Sequence, residues 1–447
     1  MDIEDIEKQK SLRARIWIIL SLAIPAMVEN SLQMLVGFVD ILFVSKISLN
    51  AVTAVGIANT VLAIYIAIFM ALGVGTSSLI ARAVGGRDLR KAKEIANRST
   101  IISIVLGITL GFISIFFSKQ LLMIMGANQE VLKQTTIYFQ IVSIPSIFIS
   151  LMFTLSSILR GSGDTKSPMK VGWWVNGIHI LLDYILIFGI SFIPGLGIIG
   201  AAIATVIARI LGVTLMIRYI KSSNLSFKLN LNFRFKELIP IISLSTPAAI
   251  ERLIMRIGQV VYVGLIVKIG SDTYAAHTIA GNIETFSYMP GYGLAIAATT
   301  IVGQYIGSNK VKESYQMGML TTYIGIFFMS LLGVIMFILA PIIAQLFTSE
   351  NHAINMVTTA LRIDAFAQPA LAIGLILVGA LQGAGDTKSP MYSTAIGMWV
   401  IRVVGVYILG VKLNWGIAGV WIAIALDLYI RAIYLHFRYK TYSKKLI

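Results

Sequence analysis

Long apolar runs, separated by short polar connections, dominate the chain. With a window of about 19 residues, the first half shows apolar segments near 16–45, 52–81, 96–117, 129–158, 170–193 and 197–220. The second half shows segments near 238–268, 274–303, 317–347, 353–381, 391–411 and 416–437. Each segment can supply the roughly 20 residues with which an α-helix crosses a bilayer. The pattern predicts an all-α integral membrane protein with twelve transmembrane helices.

The composition agrees with this prediction. Apolar residues make up 57% of the 447 residues and charged residues 13%, about half of the roughly 25% found in soluble domains. Soluble enzymes and extended nucleic-acid-binding proteins are therefore excluded, although the net charge of +16 would suggest nucleic acid in a soluble chain. Because the chain has no cysteine and no HExxH motif, we expect no resident metal, no cofactor and no enzymatic activity.

Lysine and arginine are distributed unequally between the two sides of the predicted membrane. The connections on one side carry many of them, from Arg82 in the first to Lys388 in the last, and include the polar stretch 221–237. The connections on the other side carry Lys46, Lys119, Lys268 and Lys412. By the positive-inside rule we expect this polar stretch and both termini in the cytoplasm of a multi-pass protein of the inner (plasma) membrane.

An internal repeat divides the chain. The hexapeptide GDTKSP begins at Gly163 and again at Gly385, 222 residues later. At the same offset SLAIPAMVEN, from Ser21, aligns with SLSTPAAIER, from Ser243. We therefore predict an amino-terminal six-helix bundle (1–220), a cytoplasmic linker (221–237) and a carboxyl-terminal six-helix bundle (238–447). Because six is even, both bundles enter the membrane from the same side, so their pseudo-two-fold axis should run along the membrane normal.

A polar stripe interrupts the first predicted helix. Asn30, Gln33, Gly37 and Asp40 are spaced three, four and three residues apart, and this spacing places them on one helical face. A charge at bilayer depth costs about 2.5–3.5 kcal/mol on insertion scales, and no basic residue shares the stripe with Asp40. We therefore expect the stripe to line an interior cavity and Asp40 to have a functional role.

A second polar stripe, of Asn176, His179 and Asp183, lies on the fifth predicted helix. The residue 222 positions after Asp40 is Tyr262, and no carboxylate stands at the position that matches Asp183. An architectural role would be expected in both repeats, so this loss favours function for the two carboxylates. For His179 both a proton relay and a hydrogen bond between helices remain open.

Other charges inside the predicted helices have mainly structural interpretations. Asp427 and Arg431 are four residues apart, so we expect them to pair on one helical face. Glu284 has two interpretations, because it can neutralise Arg252 or Arg256, or it can face a central cavity.

Three further features complete the pattern. Arg362 and Asp364 are expected near a helix entrance, and Glu29 and Glu251 recur in both repeats, which favours a common packing or gating role. The GDTKSP loops are predicted to be turns after a helix. They lack the second glycine directly before lysine that a phosphate-binding loop requires, so ATP binding is not expected there.

Several of these motifs together resemble the multidrug and toxic compound extrusion (MATE) family. They are the paired GSGDTKSP and GAGDTKSP loops, the segment 25–40 of helix one and the run NGIHILLDYILIFG of helix five. Within the family the chain is similar to the DNA-damage-inducible F (DinF-like) branch. The resemblance implies a cation and coupling site at Asp40, with Asp183, Asn176 and Thr205 as neighbours.

Two departures from family patterns bear on the coupling ion. His179 stands where relatives often have asparagine. The NorM branch carries acidic residues on helices seven and ten, where this chain has Met255 and Leu371, which favours protons over sodium. Substrate contacts are expected from Asn30, Gln33, Met34, Gly37, Asp40 and Tyr262.

The expected function is proton-coupled antiport. A monomeric transporter would export amphipathic, often cationic organic compounds through the bilayer by alternating access between the bundles, with no nucleic acid as partner. One alternative is a sodium-coupled exporter of the same fold. A lipid-linked precursor flippase, in which Arg252 and Arg256 would bind a pyrophosphate, is less favoured.

Overall fold

The computed structural model describes residues 11–190 and 193–446, in which long helices follow one another with short turns. The first half contains α1 (Leu12–Ser45), α2 (Leu49–Gly85), α3 (Leu89–Ile124), α4 (Gln129–Ser143), α5 (Ser146–Gly161), α6 (Lys166–Phe188) and α7 (Ile198–Ser222). The second half contains α8 (Ile239–Ile269), α9 (Ser271–Gly307), α10 (Val311–Gln345), α11 (Asn351–Gly383), α12 (Lys388–Ile396) and α13 (Gly416–Leu446). Every predicted apolar segment overlaps at least one of these helices, so the all-helical prediction is confirmed.

Two predicted segments are irregular. The fourth is broken into α4 and α5, which are bent by 46°, because Pro145 lies between them and has no backbone N–H to continue the ladder of hydrogen bonds. The eleventh begins as α12 and continues as two π-helical stretches, Gly397–Val403 and Val406–Lys412. A short antiparallel hairpin pairs Gly189–Ile190 with Ile193–Pro194, where the sequence pattern predicted only helix.

The helices differ in how well they suit a membrane. Within residues 11–190 and 193–446, nine helices are long and apolar enough to cross one, or ten if the bent pair α4 and α5 counts as one span. Helices α8 and α9 are as long as the others, but they do not meet the same criterion. The count of twelve spans therefore stays a prediction. The expected cytoplasmic termini include residues 1–10 and 447, which lie outside the described residues.

The chain forms two compact units. Unit A comprises Val28–Ala249, and unit B comprises the described residues up to Met27 together with those from Ile250 onward. Helix α1 therefore belongs to unit B until Met27, and α8 belongs to unit A until Ala249, a position 222 residues later. The predicted boundaries of the two bundles, 1–220 and 238–447, are not tested by this division and remain a prediction.

Each unit has its own apolar interior. In unit A, Phe69 and Phe139 are fully buried in one cluster, and Ile158 and Leu159 lie in another. In unit B, Trp421 is 1% exposed and lies in a cluster with residues of α8, α9, α10, α11 and α13. These apolar interiors surround the polar groups described below.

The two GDTKSP loops fold in the same way, one in each unit. Gly163 and Gly385 adopt φ of +95° and +80°, a conformation that residues with a Cβ rarely adopt. The aspartate that follows accepts the backbone N–H of the serine three residues later at 2.9 Å, in both Asp164–Ser167 and Asp386–Ser389. These bonds fix the turns that open α6 and α12, as the sequence predicts.

Candidate ion-coupling site

The two polar stripes of the first repeat meet inside unit A. Asp40 on α1 and His179 and Asp183 on α6 each offer a ligand atom, and these three atoms lie within 4.8 Å of one another. We call these three residues the Asp40 cluster. The structure thus brings together three of the residues that the sequence singles out, and their functional role remains a prediction.

Helical spacing and a neighbouring helix fix the imidazole of the cluster. His179 and Asp183 are one turn apart on α6, with Nε2 of the histidine 3.5 Å from Oδ2 of the aspartate. Nε2 also lies 3.2 Å from Oγ1 of Thr205 on α7. The Thr205 hydroxyl donates its proton to the carbonyl of Ala201 at 2.9 Å, so Nε2 of His179 must be the donor to Thr205.

The carboxylates of the Asp40 cluster lack hydrogen-bond donors. Asp183 is 1% exposed, and neither of its oxygens has a hydrogen-bond partner among the described residues. Oδ1 of Asp40 is likewise buried and without a partner there. The contact from His179 at 3.5 Å is too long for a good hydrogen bond. An unpaired buried carboxylate is costly, so the cluster is suited to bind a proton or a cation.

The rest of the α1 stripe faces open space. Gln33 and Gly37 are exposed, and a Cβ atom on Gly37 would meet no atom within 4 Å. Asn30 and Met34 are half-buried on the same helix. Asn176, one turn before His179, is half-buried, and its Nδ2 has no hydrogen-bond partner among the described residues. Polar groups beside the cluster are therefore available to a substrate.

Sequence reasoning missed a basic residue near Asp40. Arg209 lies on α7, one turn after Thr205, and is within electrostatic range of Asp40. Its Nη1 donates to the carbonyl of Val142 at 3.1 Å, next to the break between α4 and α5. The signal that could have found it is the one that identified Asp40. A charge at membrane depth is costly, and this holds equally for an arginine inside the apolar segment 197–220.

Tyr138 was also missed. It is 7% exposed in unit A and lies within electrostatic range of Asp40, Asp183 and Arg209. No charge marks it in the sequence, and only its place on α4 after folding brings it to the cluster.

The residue at the repeat position of Asp40 lies in a different environment. Tyr262 belongs to unit B, where it is 7% exposed. The guanidinium of Arg402 lies over its ring at 5.7 Å, and the ring of His277 packs edge-on at 5.8 Å. Tyr262 is thus held by packing inside unit B, and its predicted contact with substrate is untested.

Unit B contains a buried ion-pair network. Asp427 is fully buried, and its Oδ2 lies 2.8 Å from Nη2 of Arg402. Its Oδ1 lies 2.9 Å from Nε of Arg431. We call these three residues the Asp427 cluster. The predicted pairing of Asp427 with Arg431 is confirmed, whereas Arg402 was missed.

The structure changes the interpretation of two other charged residues. Glu284 lies within electrostatic range of Arg402 and accepts the hydroxyl of Tyr288 at 3.2 Å; Arg256, one of its expected partners, instead donates to Gln259 at 3.2 Å. Asp364 was expected near a helix entrance, which is wrong, because α11 begins at Asn351 and Asp364 is 1% exposed.

The glutamates that recur in both repeats have different partners. Glu29 pairs with Arg160 at 2.6 Å in unit A. Glu251 accepts the hydroxyl of Thr394 at 3.1 Å in unit B, where Gln382 occupies the repeat position of Arg160. Contacts of this kind fit the packing role expected of these glutamates.

Comparison with known proteins identifies the family. The MatE family model matches residues 25–185 and again residues 247–408. The two matches begin 222 residues apart, which is the spacing of the GDTKSP loops, and together they cover more than half of the chain. The chain belongs to the MATE family. It is a multidrug efflux transporter of the membrane and not an enzyme.

The relatives of this MATE transporter span nearly its whole length. It is 30% identical to the "Probable multidrug resistance protein NorM" of Thermotoga maritima, over 93% of this chain and 90% of that protein. It is 28% identical to the "Uncharacterized transporter YisQ" of Bacillus subtilis, over 94% and 93%. The "Multidrug export protein MepA" of Staphylococcus aureus is 25% identical over 82% of this chain and 81% of its own length.

Solved structures show the same fold. A crystal structure of "MATE in complex with MaD3S" matches with a TM-score of 0.90 and 26% identity, covering 96% of both chains. The "Outward-facing conformation of a multidrug resistance MATE family transporter of the MOP superfamily" matches with the same TM-score, identity and coverage. Helices α8 and α9 thus belong to a MATE transporter fold, although by length and composition they do not meet the criterion for a membrane span that nine other helices meet in the described residues.

Proposed function

We propose that this MATE transporter exports amphipathic, often cationic organic compounds in exchange for protons. It works as a DinF-like monomer in the plasma membrane, by alternating access between two six-helix bundles of a twelve-helix fold, with both termini in the cytoplasm. Asp40 binds the coupling proton, and Asp183, His179, Thr205 and Asn176 support it.

One observation carries this proposal. Asp40 and Asp183 approach each other inside unit A, and three of their buried oxygens have no hydrogen-bond donor among the described residues. A proton placed on either carboxylate supplies a donor and removes one of two like charges. The cluster therefore gains more from a bound proton than an exposed aspartate would.

Substrate and proton compete for the same negative charge. When Asp40 is ionised, it attracts a cationic substrate to the open face of α1 that carries Gln33 and Gly37. Protonation removes this attraction and shifts the population toward the state that releases substrate. Each proton that moves inward contributes about 2.3 kcal/mol per 100 mV of membrane potential, which can drive export without ATP.

Two neighbours favour a proton over sodium. A hard cation such as sodium prefers oxygen ligands, whereas one of the three groups of the cluster is the imidazole of His179. The guanidinium of Arg209 lies within electrostatic range of Asp40 and disfavours a metal ion enclosed in the cluster, whereas a cationic substrate would lie outside it on the open face of α1. A proton binds covalently to one oxygen, so it needs neither a ligand shell nor additional space.

The sodium-coupled alternative also has an observation in its favour. Three ligand atoms within 4.8 Å of one another match the spacing around a bound metal ion, and two of them are carboxylate oxygens. The flippase alternative has weaker support, because Arg256 is exposed on α8 and hydrogen-bonds a neighbouring side chain.

Gradients imposed one at a time distinguish these functions. The purified transporter is reconstituted into liposomes, and export of a cationic dye is followed under a pH gradient without sodium and under a sodium gradient without a pH difference. We expect uphill export under the pH gradient alone. Export that requires sodium would instead support the alternative, and transport of a lipid-linked pyrophosphate without dye export would support the flippase.

A further inference from the structure

A second group of buried and half-buried carboxylates, Asp364 and Glu284, lies within unit B. Asp364 and Gln368 face each other one turn apart on α11, with Nε2 of the glutamine donating to Oδ2 of the aspartate at 2.8 Å. Glu284, on α9, lies within electrostatic range of Asp364 and of Arg402. Neither carboxylate has an arginine hydrogen-bonded to it in the described residues, unlike Asp427.

The charges of this region do not balance. Arg402 and Arg431 both pair with Asp427, so the Asp427 cluster carries one net positive charge. Asp364 and Glu284 add two negative charges when both are ionised, which leaves the region with one net negative charge. Glu251, within electrostatic range of Arg431, is offset by Arg252 and does not change this balance. Uncompensated charge inside a low-dielectric protein is costly. One additional positive charge would make the region neutral.

The other polar groups that face this region do not supply that charge. Tyr288 donates its hydroxyl to Glu284, and Tyr262 lies under the guanidinium of Arg402. His277 packs between the rings of Tyr262 and Trp421, at 5.8 and 5.6 Å, and Arg402 lies within its electrostatic range. A positive charge on this imidazole would lie beside the fixed guanidinium of Arg402, and like charges at short range repel each other.

Two buried acceptor atoms lie at the position where an additional positive charge would bind. Oδ1 of Asp364 and Oε1 of Gln368 have no hydrogen-bond partner in the described part of the chain, although the two residues are 1% and 0% exposed. Both atoms accept hydrogen bonds, and neither can donate one. A ligand that adds a positive charge and a hydrogen-bond donor satisfies both requirements.

A proton fits this site better than a metal ion. Ala360 and Leu361, on the same helix, are fully buried in the apolar interior of unit B. Sodium would need several oxygen ligands and space for its ionic radius, whereas a proton on Asp364 or Glu284 needs no space. The chemistry of the site therefore indicates a carboxylic acid.

The surroundings allow the proton to exchange. Glu284 is half-buried, whereas Asp364 is buried, so the pair extends from the interior toward a more accessible position. Arg402, which lies within electrostatic range of Glu284, belongs to the π-helical stretch Gly397–Val403. π-Helical turns are rare and occur frequently at functional sites.

We propose that Asp364 and Glu284 form a second proton-binding site, within unit B, which loads one proton and releases it when substrate binds. The inference rests on proton coupling as proposed above and adds one proton to the one carried by the Asp40 cluster. Export of a monovalent cation then exchanges one positive charge for two. Transport is therefore electrogenic, and the membrane potential as well as the pH gradient drives it.

Transport in liposomes tests the stoichiometry. Ethidium, a monovalent cation, is the substrate, and a potassium diffusion potential is imposed at a fixed pH gradient. A potential that is negative on the side receiving protons should accelerate exchange by the full-length wild-type protein. Asp364→Asn should retain exchange driven by pH and lose the acceleration by potential. An unchanged response in this variant, or no response in the wild type, would overturn the proposal.

Proton release in detergent provides a second readout, which does not require turnover. Adding ethidium to the purified protein should release two protons per bound molecule from the wild type and one from Asp364→Asn. Glu284→Gln should behave as Asp364→Asn does, and Asp272→Asn, which changes an exposed aspartate on α9, should behave as the wild type. Equal release from wild type and both pair variants would show that any proton here is permanent, and the inference would be wrong.

These experiments separate this inference from the proposed function. If the wild-type protein exports ethidium under a pH gradient and releases a proton only through Asp40, proton coupling stands and the second site fails. If export requires sodium, the proposed function fails first.

Discussion

The two units hold their buried carboxylates in contrasting ways. In unit A, Asp40 and Asp183 lie close together with no guanidinium hydrogen-bonded to either in the described residues. In unit B, Asp427 is held by both Arg402 and Arg431 at 2.8 and 2.9 Å. Direct pairing with two guanidinium groups therefore compensates the charge of Asp427, whereas each carboxylate of the Asp40 cluster has another carboxylate as its neighbour.

The contrast extends to positions that match between the two repeats. Tyr262 stands where Asp40 stands in the first repeat, and its ring packs against the guanidinium of Arg402. The Asp427 cluster joins the helical stretch around Arg402 to α13, which stabilises the interior of unit B. Around the Asp40 cluster of unit A the described residues form no such ion-pair network, so the two clusters differ in how their carboxylate charges are compensated.

The largest expected effect is on the free energy of unfolding. It appears when an aspartate-to-asparagine substitution in the Asp427 cluster is compared with one in the Asp40 cluster. Asp427→Asn leaves two buried guanidinium groups without their carboxylate, and we expect a loss of about 3–5 kcal/mol in the free energy of unfolding. Asp183→Asn removes a carboxylate that has no donor, so the free energy of unfolding should stay the same or rise. Denaturation of the purified proteins in detergent measures both. An equal loss of free energy of unfolding in the two variants would contradict the proposed difference between the clusters.

The next effect concerns Arg209, the basic residue near the Asp40 cluster. Arg209→Met removes the hydrogen bond to the carbonyl of Val142 at the break between α4 and α5. A hydrogen bond from a charged group contributes about 1.5–3 kcal/mol, and we expect a loss of this size, with partial recovery in Arg209→Lys. The variant should also become more sensitive to sodium, because a repelling charge is lost. Unchanged stability together with unchanged sodium response would show that Arg209 has neither role.

A smaller effect is expected on transport by Asp183→Asn. The residue supports Asp40 without being the obligatory proton carrier, so pH-driven export should fall by roughly threefold, which corresponds to less than about 1 kcal/mol. Initial rates of dye export in liposomes provide the measurement, with Asp272→Asn as the matched control. Complete loss of export would instead make Asp183 an equal partner of Asp40.

The smallest effect concerns topology and should leave transport unchanged. Ser223 begins the polar connection between α7 and α8, which the charge distribution places in the cytoplasm. Since the chain has no cysteine, Ser223→Cys introduces a unique label. A membrane-impermeant maleimide should label it in inside-out vesicles and not in intact cells. Labelling of intact cells would reverse the predicted orientation.

Hydrophobic periodicity predicts the helices well and their irregularities poorly. Apolar runs are visible in any window, so every predicted segment contains a helix. The break before Ser146 depends on a single proline, and the π-helical turns around Arg402 depend on packing against α13. The hairpin at Gly189–Ile190 is too short to leave a periodic signal.

The sequence likewise predicts some residues of the candidate site and misses others. Helical spacing groups Asp40 with its stripe and His179 with Asp183, and the family resemblance adds Thr205. Neither source reveals Arg209, because its distance from Asp40 is set by tertiary packing rather than by local sequence. The charge imbalance around Asp364 likewise becomes visible only when residues of four helices are brought together.

The most direct test of proton coupling compares uphill and downhill transport by Asp40→Asn. This variant resembles the protonated form without a change in side-chain volume, so it should fold and still exchange dye across the membrane down a concentration gradient. Under a pH gradient it should fail to accumulate dye, because it can no longer bind and release the proton. We predict retained downhill exchange with no uphill export, whereas normal uphill export by Asp40→Asn would contradict the assignment of Asp40 as the coupling site.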